Sequence, residues 1–394
     1  MVKNNVAALI LGSHVNAYSI VKELHFHAVK NIIIFQKRSG LASFSNKLLE
    51  TQTVPNNSSA LLDAIKCLQN VYDEVVVFPT DDDYLEALLD IEKEISSFCF
   101  LPFNKEKLAL QLDKFYQYEI CEKIGVPYPR SINIKVNEDL DLLNNMKLPI
   151  LVKPSKRMDL TQKVFRAKYI EKESDLLDFK VRLNEYFLMG VEFIASEFIP
   201  GDDTNIYALT CYRAKNGKIL GYWKGKKLTQ FPNEFGVVSS ASSSCPQVVQ
   251  EQGLKLVDGL DAFGVIEPEF KFDSRDGLYK LMEVNLRSMM WHHVGFLSGV
   301  SLHYIMYLDA LRCDNKATIA ASPNKDIHWV LMLHEIPNLI ARSGYLKHFK
   351  STVWGGTDRC WAIFDKRDLK PFIYSLALLF KMSIVACLNR LKKK

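Results

Sequence analysis

Pro268-Glu269-Phe270-Lys271-Phe272-Asp273 and, after a turn, Leu281-Met282-Glu283-Val284-Asn285-Leu286-Arg287 are the two runs on which the reading of this sequence turns. Apolar and polar residues alternate through both, the pattern of strands whose side chains point to opposite faces. Alternation puts Glu283, Asn285 and Arg287 on one face. Asp273, Ser274, Asp276 and Gly277 supply turn chemistry between the runs, so a hairpin brings Glu269 beside Glu283. Two carboxylates and an amide oxygen then converge. Hard oxygen ligands of this kind suit magnesium, which completes its octahedron with water and nucleotide phosphates. Arg287 would face a transferred phosphoryl group as a fixed cation. The competing reading is a solvated antiparallel face carrying ordinary charges.

Working back from this hairpin, Leu151-Val152-Lys153-Pro154 is an apolar strand ending on a lysine, a point charge suited to phosphate. Lys114 opens a helix predicted to end at Gly125-Val126-Pro127. Ser196-Glu197-Phe198-Ile199-Pro200-Gly201-Asp202-Asp203 runs a strand into an extended linker whose backbone groups can pair with a flat heterocycle, and whose aspartates can accept from ribose hydroxyls. Short strands over Ile150–Lys153, Phe193–Phe198 and Tyr207–Tyr212 make this an α+β region.

The N-terminal part has a different rhythm. Strands at Val6–Leu11, Asn31–Phe35 and Glu74–Phe78 alternate with helices at Ala17–Leu24, Ser59–Gln69 and from Asp83 through Leu89, which predicts a small doubly wound parallel sheet. Its first turn has only Gly12 where a dinucleotide fingerprint needs three spaced glycines. His14 in that turn and Asp81, Asp82 and Asp83 at another strand end sit where open α/β sheets bind ligands, and are candidate substrate contacts. The expected units are residues 1–112, then 113–320 in two lobes with a hinge near 197–203, then 321–394.

With 394 residues, 48% hydrophobic and 24% charged, the chain matches an ordinary multidomain globular protein. A net charge of +5, partly from Lys392, Lys393 and Lys394, does not call for a nucleic-acid surface. Eight dispersed cysteines without a CxxC pair read as reduced thiols, and with no signal-like N-terminus they give a cytoplasmic expectation. Pro371–Leu388 is almost wholly apolar and is followed by basic residues. It reads either as a buried terminal helix or as one lying at the inner membrane face, where a lipid-linked substrate would be met.

Taken in order, these pieces resemble the ATP-grasp superfamily, in particular carboxylate-amine ligases similar to D-aspartate ligase and to ligases associated with surface polysaccharides. The motifs are the N-terminal Rossmann-like sheet, Asp113-Lys114 with Gly125-Val126-Pro127, Lys153-Pro154, the hinge from Glu197 to Gly201, and Glu269 with Glu283-x-Asn285-x-Arg287. The resemblance implies ATP and Mg2+ as cofactors. It places Lys114 and Lys153 on the phosphates, the backbones of Glu197, Phe198 and Ile199 at adenine, and Asp203 at the ribose. Glu269, Glu283 and Asn285 would hold magnesium, and Arg287 would stabilise an acyl phosphate. Of Lys226 and Lys227, ahead of Phe235-Gly236, Lys226 is slightly preferred as the residue aimed at the γ-phosphate or the carboxylate. His292, with Trp291 and His293, would border the acceptor pocket. The implied activity is amide-bond formation between a small carboxylate and an amine, with a cell-envelope polysaccharide or peptidoglycan precursor as one partner. A dipeptide synthase, an N-carboxylating enzyme and a nucleotide-binding scaffold without turnover remain open. Two departures stand out: Lys156 and Arg157 occupy a loop where many relatives carry glycines, and Ser196 stands where several carry an acid.

Overall fold

The run Val6–Leu11 has no polar face, so both of its faces must be covered, and in the computed structural model each of its residues is buried. The structure describes residues 5–155, 164, 165, 167–233, 236–313 and 325–392. Strand β1 (Val6–Leu11) is central in a parallel sheet with β2 (Ile32–Gln36), β3 (Glu50–Thr53), β4 (Glu74–Pro79) and β5 (Cys99–Phe100), in the order β3-β2-β1-β4-β5. Helix α1 (Val15–Phe26) packs on the face carrying Ala8 and Ile10. Helices α2 (Ser58–Gln69) and α3 (Asp82–Asp90) pack on the face carrying Ala7, Leu9 and Leu11. The chain passes from β1 to β2 on one side and returns to β4 on the other. The carboxyl ends of β1 and β4 therefore border the crevice where the strand order reverses.

A four-stranded antiparallel sheet follows: β6 (Ser131–Ile134), β7 (Ile150–Pro154), β8 (Lys168–Ile170) and β9 (Phe193–Glu197), ordered β6-β9-β7-β8. The helix Glu173–Phe187 covers it, and the lobe has a core of its own built on Ile150, Val152, Phe179 and Phe193. The third sheet has seven strands: β10 (Ile206–Arg213), β11 (Ile219–Phe231), β12 (Val237–Ser242), β13 (Gly264–Asp273), β14 (Leu278–Asn285), β15 (Ile327–Val330) and β16 (Asp358–Trp361). Its order is β14-β13-β10-β11-β12-β15-β16. The stretch after residue 320 thus adds two strands to this sheet before the terminal helix Leu369–Lys392.

The helix Lys114–Ile124 joins the first sheet to the third. Asp113 caps it, with Oδ1 accepting from the amides of Phe115 (2.7 Å) and Tyr116 (3.2 Å). Gly125 ends it at φ 68°, a left-handed conformation natural to glycine. Inside it, buried Gln117 works as a clamp. Its Nε2 donates to the carbonyls of Gln111 (2.9 Å) and Val284 (3.2 Å), while its Oε1 accepts from the Val284 amide at 2.9 Å. Gln117 thereby pins β14 to the helix that carries Lys114. Replacing Gln117 with Leu strands a buried amide and carbonyl, and should cost about 1–3 kcal/mol per unpaired group. Urea unfolding would show this as a lower midpoint with an unchanged slope.

Candidate active site

The hairpin predicted from the sequence forms, and its turn is held electrostatically. Asp273 accepts from Arg275 (Nε 2.9 Å, Nη2 2.6 Å) and from Lys280 Nζ (2.8 Å). The Arg275 bonds, with help from Lys280, hold its carboxyl well below the usual carboxylate range. From this turn the strands pair as far as Phe270 with Leu281; a bulge then shifts the register by one residue, so that Glu269 pairs with Glu283 and Glu267 with Asn285. The side chains of Glu267, Glu269, Glu283 and Asn285 therefore share one face of two adjacent strands.

Across that face, Lys227 on β11 donates to Glu269 Oε2 at 2.6 Å, and Asn285 Nδ2 lies 3.4 Å from Glu269 Oε1. Burial pushes the Glu269 carboxyl up to about 7, with Lys227 opposing and Glu267 and Glu283 adding to the rise. Glu283 behaves in the opposite way. Burial acts to raise it, but Lys114, Lys153, Lys227 and Arg287 together hold it below its ordinary value. These four cations come from four separate elements of the chain.

Arg287 is not isolated. It makes a forked pair with Asp82 at the start of α3, Nε to Oδ1 at 2.6 Å and Nη2 to Oδ2 at 3.1 Å. This pair links the end of β14 to the switch-point crevice. Asp82, Glu86, Lys114, Gln117, Glu283 and Asn285 are among the residues that wall a cleft of about 340 Å³ between the first and third sheets. Lys37 pairs with Asp83 at 2.8 Å on the same rim, and His14, exposed at the start of α1, lies within electrostatic reach of Asp81.

At the hinge, the amides of Glu197 and Phe198 bind the carbonyls of Arg130 (2.9 Å) and Pro149 (3.0 Å). Any backbone donor to a heterocycle there falls to Ile199. Asp203 opens a short 3-10 turn (Asp203–Asn205) and accepts from the Gln230 amide at 2.9 Å. Lys271, which the sequence reading passed over, projects beside the hinge with Nζ 5.1 Å from the centre of the Phe198 ring. Burial lowers its pKa, opposed by Asp203, Asp202 and Asp273.

Two expectations change. Between Lys226 and Lys227 it is Lys227 that reaches Glu269. Neighbouring strand residues face opposite ways, so Lys226 shares a face with Lys224, near Cys245. His292 does not border the cleft: it is buried with Trp291 in a network around Glu267. The Met289 amide donates to His292 Nδ1 at 3.2 Å, which leaves Nε2 to donate to Glu267 Oε2 at 2.7 Å. Thr210 Oγ1 (2.8 Å) and Trp291 Nε1 (3.2 Å) complete the Glu267 shell. Burial holds His292 neutral. Glu267 itself was legible, being two residues before Glu269 in the same alternation. Lys156, Arg157 and Phe235 lie outside the described residues.

Among the described residues no group of three or more His, Cys, Asp or Glu side chains gathers at metal-binding spacing. Magnesium bound with a nucleotide needs only one or two carboxylates besides phosphate and water. Glu269 and Glu283, paired across the two strands with Asn285 beside them, fit that donor set.

No family model matches the chain. In sequence it is 22% identical over 319 residues to a D-aspartate ligase from Enterococcus faecium (strain Aus0004), an alignment covering 75% of this chain and 74% of that protein. In structure it is similar to the ADP complex of N5-carboxyaminoimidazole synthetase from Staphylococcus aureus, with TM-score 0.63 and 14% identity over 83% of this chain and 82% of the other. Phosphoribosylglycinamide synthetase from Anaerococcus prevotii gives TM-score 0.60 and 17% identity over 82% and 80%. Biotin carboxylase from Campylobacter jejuni gives TM-score 0.61 and 15% identity over 77% and 70%.

The two lysines of β11 provide a test. Lys227→Met should lower nucleotide-dependent turnover by about a hundredfold or more, the scale of losing one charge-stabilising group. Lys226→Met should leave it within about twofold. Breaking the buried pair would ordinarily cost about 3–5 kcal/mol of stability, but Glu269 can escape by taking a proton. Lys227 holds the Glu269 carboxyl down to about 7, so in Lys227→Met it takes its proton at higher pH; the stability loss should therefore shrink as the pH falls toward about 7 and level off below it, as thermal denaturation across pH would show.

Proposed function

The chain has the ATP-grasp fold behind an N-terminal parallel-sheet domain, and on that premise we propose that it is a carbon–nitrogen ligase that activates a carboxylate with ATP and joins it to an amine. The observation that carries this reading is the gathering of Lys114, Lys153, Lys227 and Arg287 around Glu283, next to Glu269 and Asn285. A transferred phosphoryl group spreads charge over its oxygens, and catalysis of the transfer is mostly positioning and electrostatic stabilisation. A cation from each of four elements meets that need.

In the reaction we propose, a substrate carboxylate oxygen attacks the γ-phosphorus and ADP departs. A neutral amine then attacks the acyl carbon, the amide C–N bond forms, and inorganic phosphate leaves with the former carboxylate oxygen. Lys114 and Lys153 hold the phosphates, the Glu197–Ile199 hinge takes the adenine, and Asp203 takes the ribose. Glu269, Glu283 and Asn285 would hold magnesium, which when bound neutralises phosphate charge. Arg287, already oriented by Asp82 at the cleft wall, stabilises the acyl phosphate and the tetrahedral intermediate. Enclosure between the lobes keeps water from the acyl phosphate.

The alignment with D-aspartate ligase supports an amino acid as one substrate. We place the reaction in the cytoplasm, with a cell-envelope polysaccharide or peptidoglycan precursor as the other partner. The switch-point crevice beside His14 and Asp81, open to the cleft through Asp82, is where we place its recognition.

ADP release in a matrix of amino acids and uronic acid derivatives tests this. Release that needs both a carboxylate and an amine, and that falls about a hundredfold or more in Glu283→Gln, is expected. Equal release without any amine would contradict amide formation. Nucleotide binding with no release in any combination would favour a scaffold.

A further inference from the structure

The helix Leu369–Lys392 is twenty-four residues long, about 36 Å at 1.5 Å per residue. Only 17% of its stretch Leu369–Leu388 is buried, so it is not the core helix that one reading of the sequence expected. One side packs on the helix Met332–Ala341 and on the turn Leu41–Phe44, burying Ser375 and Ala386. On the opposite side Ile373 (60%), Leu376 (46%), Phe380 (71%) and Ile384 (45%) stand exposed in a single stripe at helical spacing. Soluble monomers rarely leave a continuous apolar stripe of this kind in water.

The charge pattern identifies what covers it. From Leu369 to Lys394 the sequence holds six basic residues (Lys370, Lys381, Arg390, Lys392, Lys393, Lys394) and no acidic one. An apolar face with a purely cationic complement matches an anionic lipid surface better than water or a protein core. The helix does not reach outward to span a bilayer. Its length is docked on the protein, and near its end Arg390 donates to the Ile340 carbonyl at 2.8 Å. It is held to lie flat.

Beneath the helix lies a cavity of about 330 Å³, with Val330, Met332, Trp361, Ile363 and Leu379 in its wall. Ser375 is the one polar side chain among the residues that line it. Two further wall residues, Phe364 and Leu376, are each 46% exposed, so the cavity opens onto the stripe. We propose that this face docks on an anionic bilayer, the helix lying in the interface and one hydrocarbon chain of a lipid entering the cavity.

The root of the helix ties this surface to the switch-point crevice. Asp368, fully buried, accepts from the Asn46 amide (3.1 Å) and Tyr18 Oη (3.2 Å). The same loop reaches back to the crevice, where the Ala42 amide donates to the Ser13 carbonyl at 2.9 Å and Lys37 holds Asp83. A protein docked this way would draw its acceptor from the membrane. That extension to a lipid-linked substrate rests on the ligase reading; the docking itself does not.

Sedimentation of the full chain with vesicles, without nucleotide, tests the docking independently of activity. Binding is expected to phosphatidylcholine vesicles containing phosphatidylglycerol, weaker to phosphatidylcholine alone, and weakened by salt. Phe380→Ser combined with Ile384→Ser, both solvent-facing, should bind at least about tenfold more weakly while keeping the native circular dichroism. Phosphatidylglycerol with brominated chains should quench a fluorescence component that disappears in Trp361→Phe. Wild-type protein left in the supernatant, unchanged retention of the double variant, or quenching unaffected by Trp361→Phe would each overturn the proposal. So would a dimer in solution that covers the stripe and excludes vesicles.

Discussion

Glu269, buried, and Glu283, on the cleft wall, face each other across a strand pair, and much of the architecture follows from making that juxtaposition tolerable. Side chains directly opposite in an antiparallel pair have Cβ atoms about 4.5–5.5 Å apart, and like charges there repel. At an effective dielectric near 20, two unit charges about 5 Å apart cost about 3 kcal/mol, a large fraction of a domain's net stability of about 5–15 kcal/mol. The chain divides the remedy. Glu269 takes a direct lysine partner at 2.6 Å and still has its carboxyl pushed up to about 7 by burial. Glu283 is kept ionised by charges gathered from β7, β11, the end of β14 and the helix Lys114–Ile124. Each sheet therefore has a reason to sit where it does.

The same arrangement explains the buried polar shell behind the site. Glu267 carries a third carboxylate on the face of β13 and has no full counter-charge. Thr210, Trp291 and His292 satisfy it by hydrogen bonds instead. His303 repeats the pattern against Glu23, with Nδ1 2.7 Å from Oε2, and so joins α1 to the helix Leu302–Ala310. Polar groups sealed this well leave the site few alternative packings, and they set the strand positions on which Glu269 and Glu283 depend.

Much of this was legible in the sequence, for a local reason. The parallel sheet announces itself because its strands are buried on both faces and punctuated by turn residues, so Val6–Leu11 agrees residue for residue and Glu74–Phe78 differs by one. The hairpin was legible from alternation and an Asp/Gly turn, but the register shift between Glu269 and Phe270, which puts Glu283 rather than Met282 opposite Glu269, was not. What sequence could not resolve depends on contacts between distant segments. Lys226 and Lys227 are adjacent, and only the pairing of β11 with β10 and β12 decides which one faces Glu269. His292 and Trp291 look like pocket residues until Glu267, some two dozen positions earlier, is seen to hold both. The addition of β15 and β16 to the third sheet is equally invisible locally, since each is only four residues long.

The Arg287–Asp82 pair joins residues 205 positions apart, and this separation bears on how the molecule is made. During synthesis the first sheet and α3 leave the ribosome early, presenting Asp81, Asp82 and Asp83 with no arginine to meet them. A half-finished chain already holds Lys114 and Lys153 but neither Glu269 nor Glu283. Loop closure over such a distance is slow compared with local folding, so a chain that ends before β14 carries the aspartates of the crevice without the arginine that pairs with Asp82. The candidate site is complete only with β13 and β14 in place, where a single guanidinium joins the two ends of the fold.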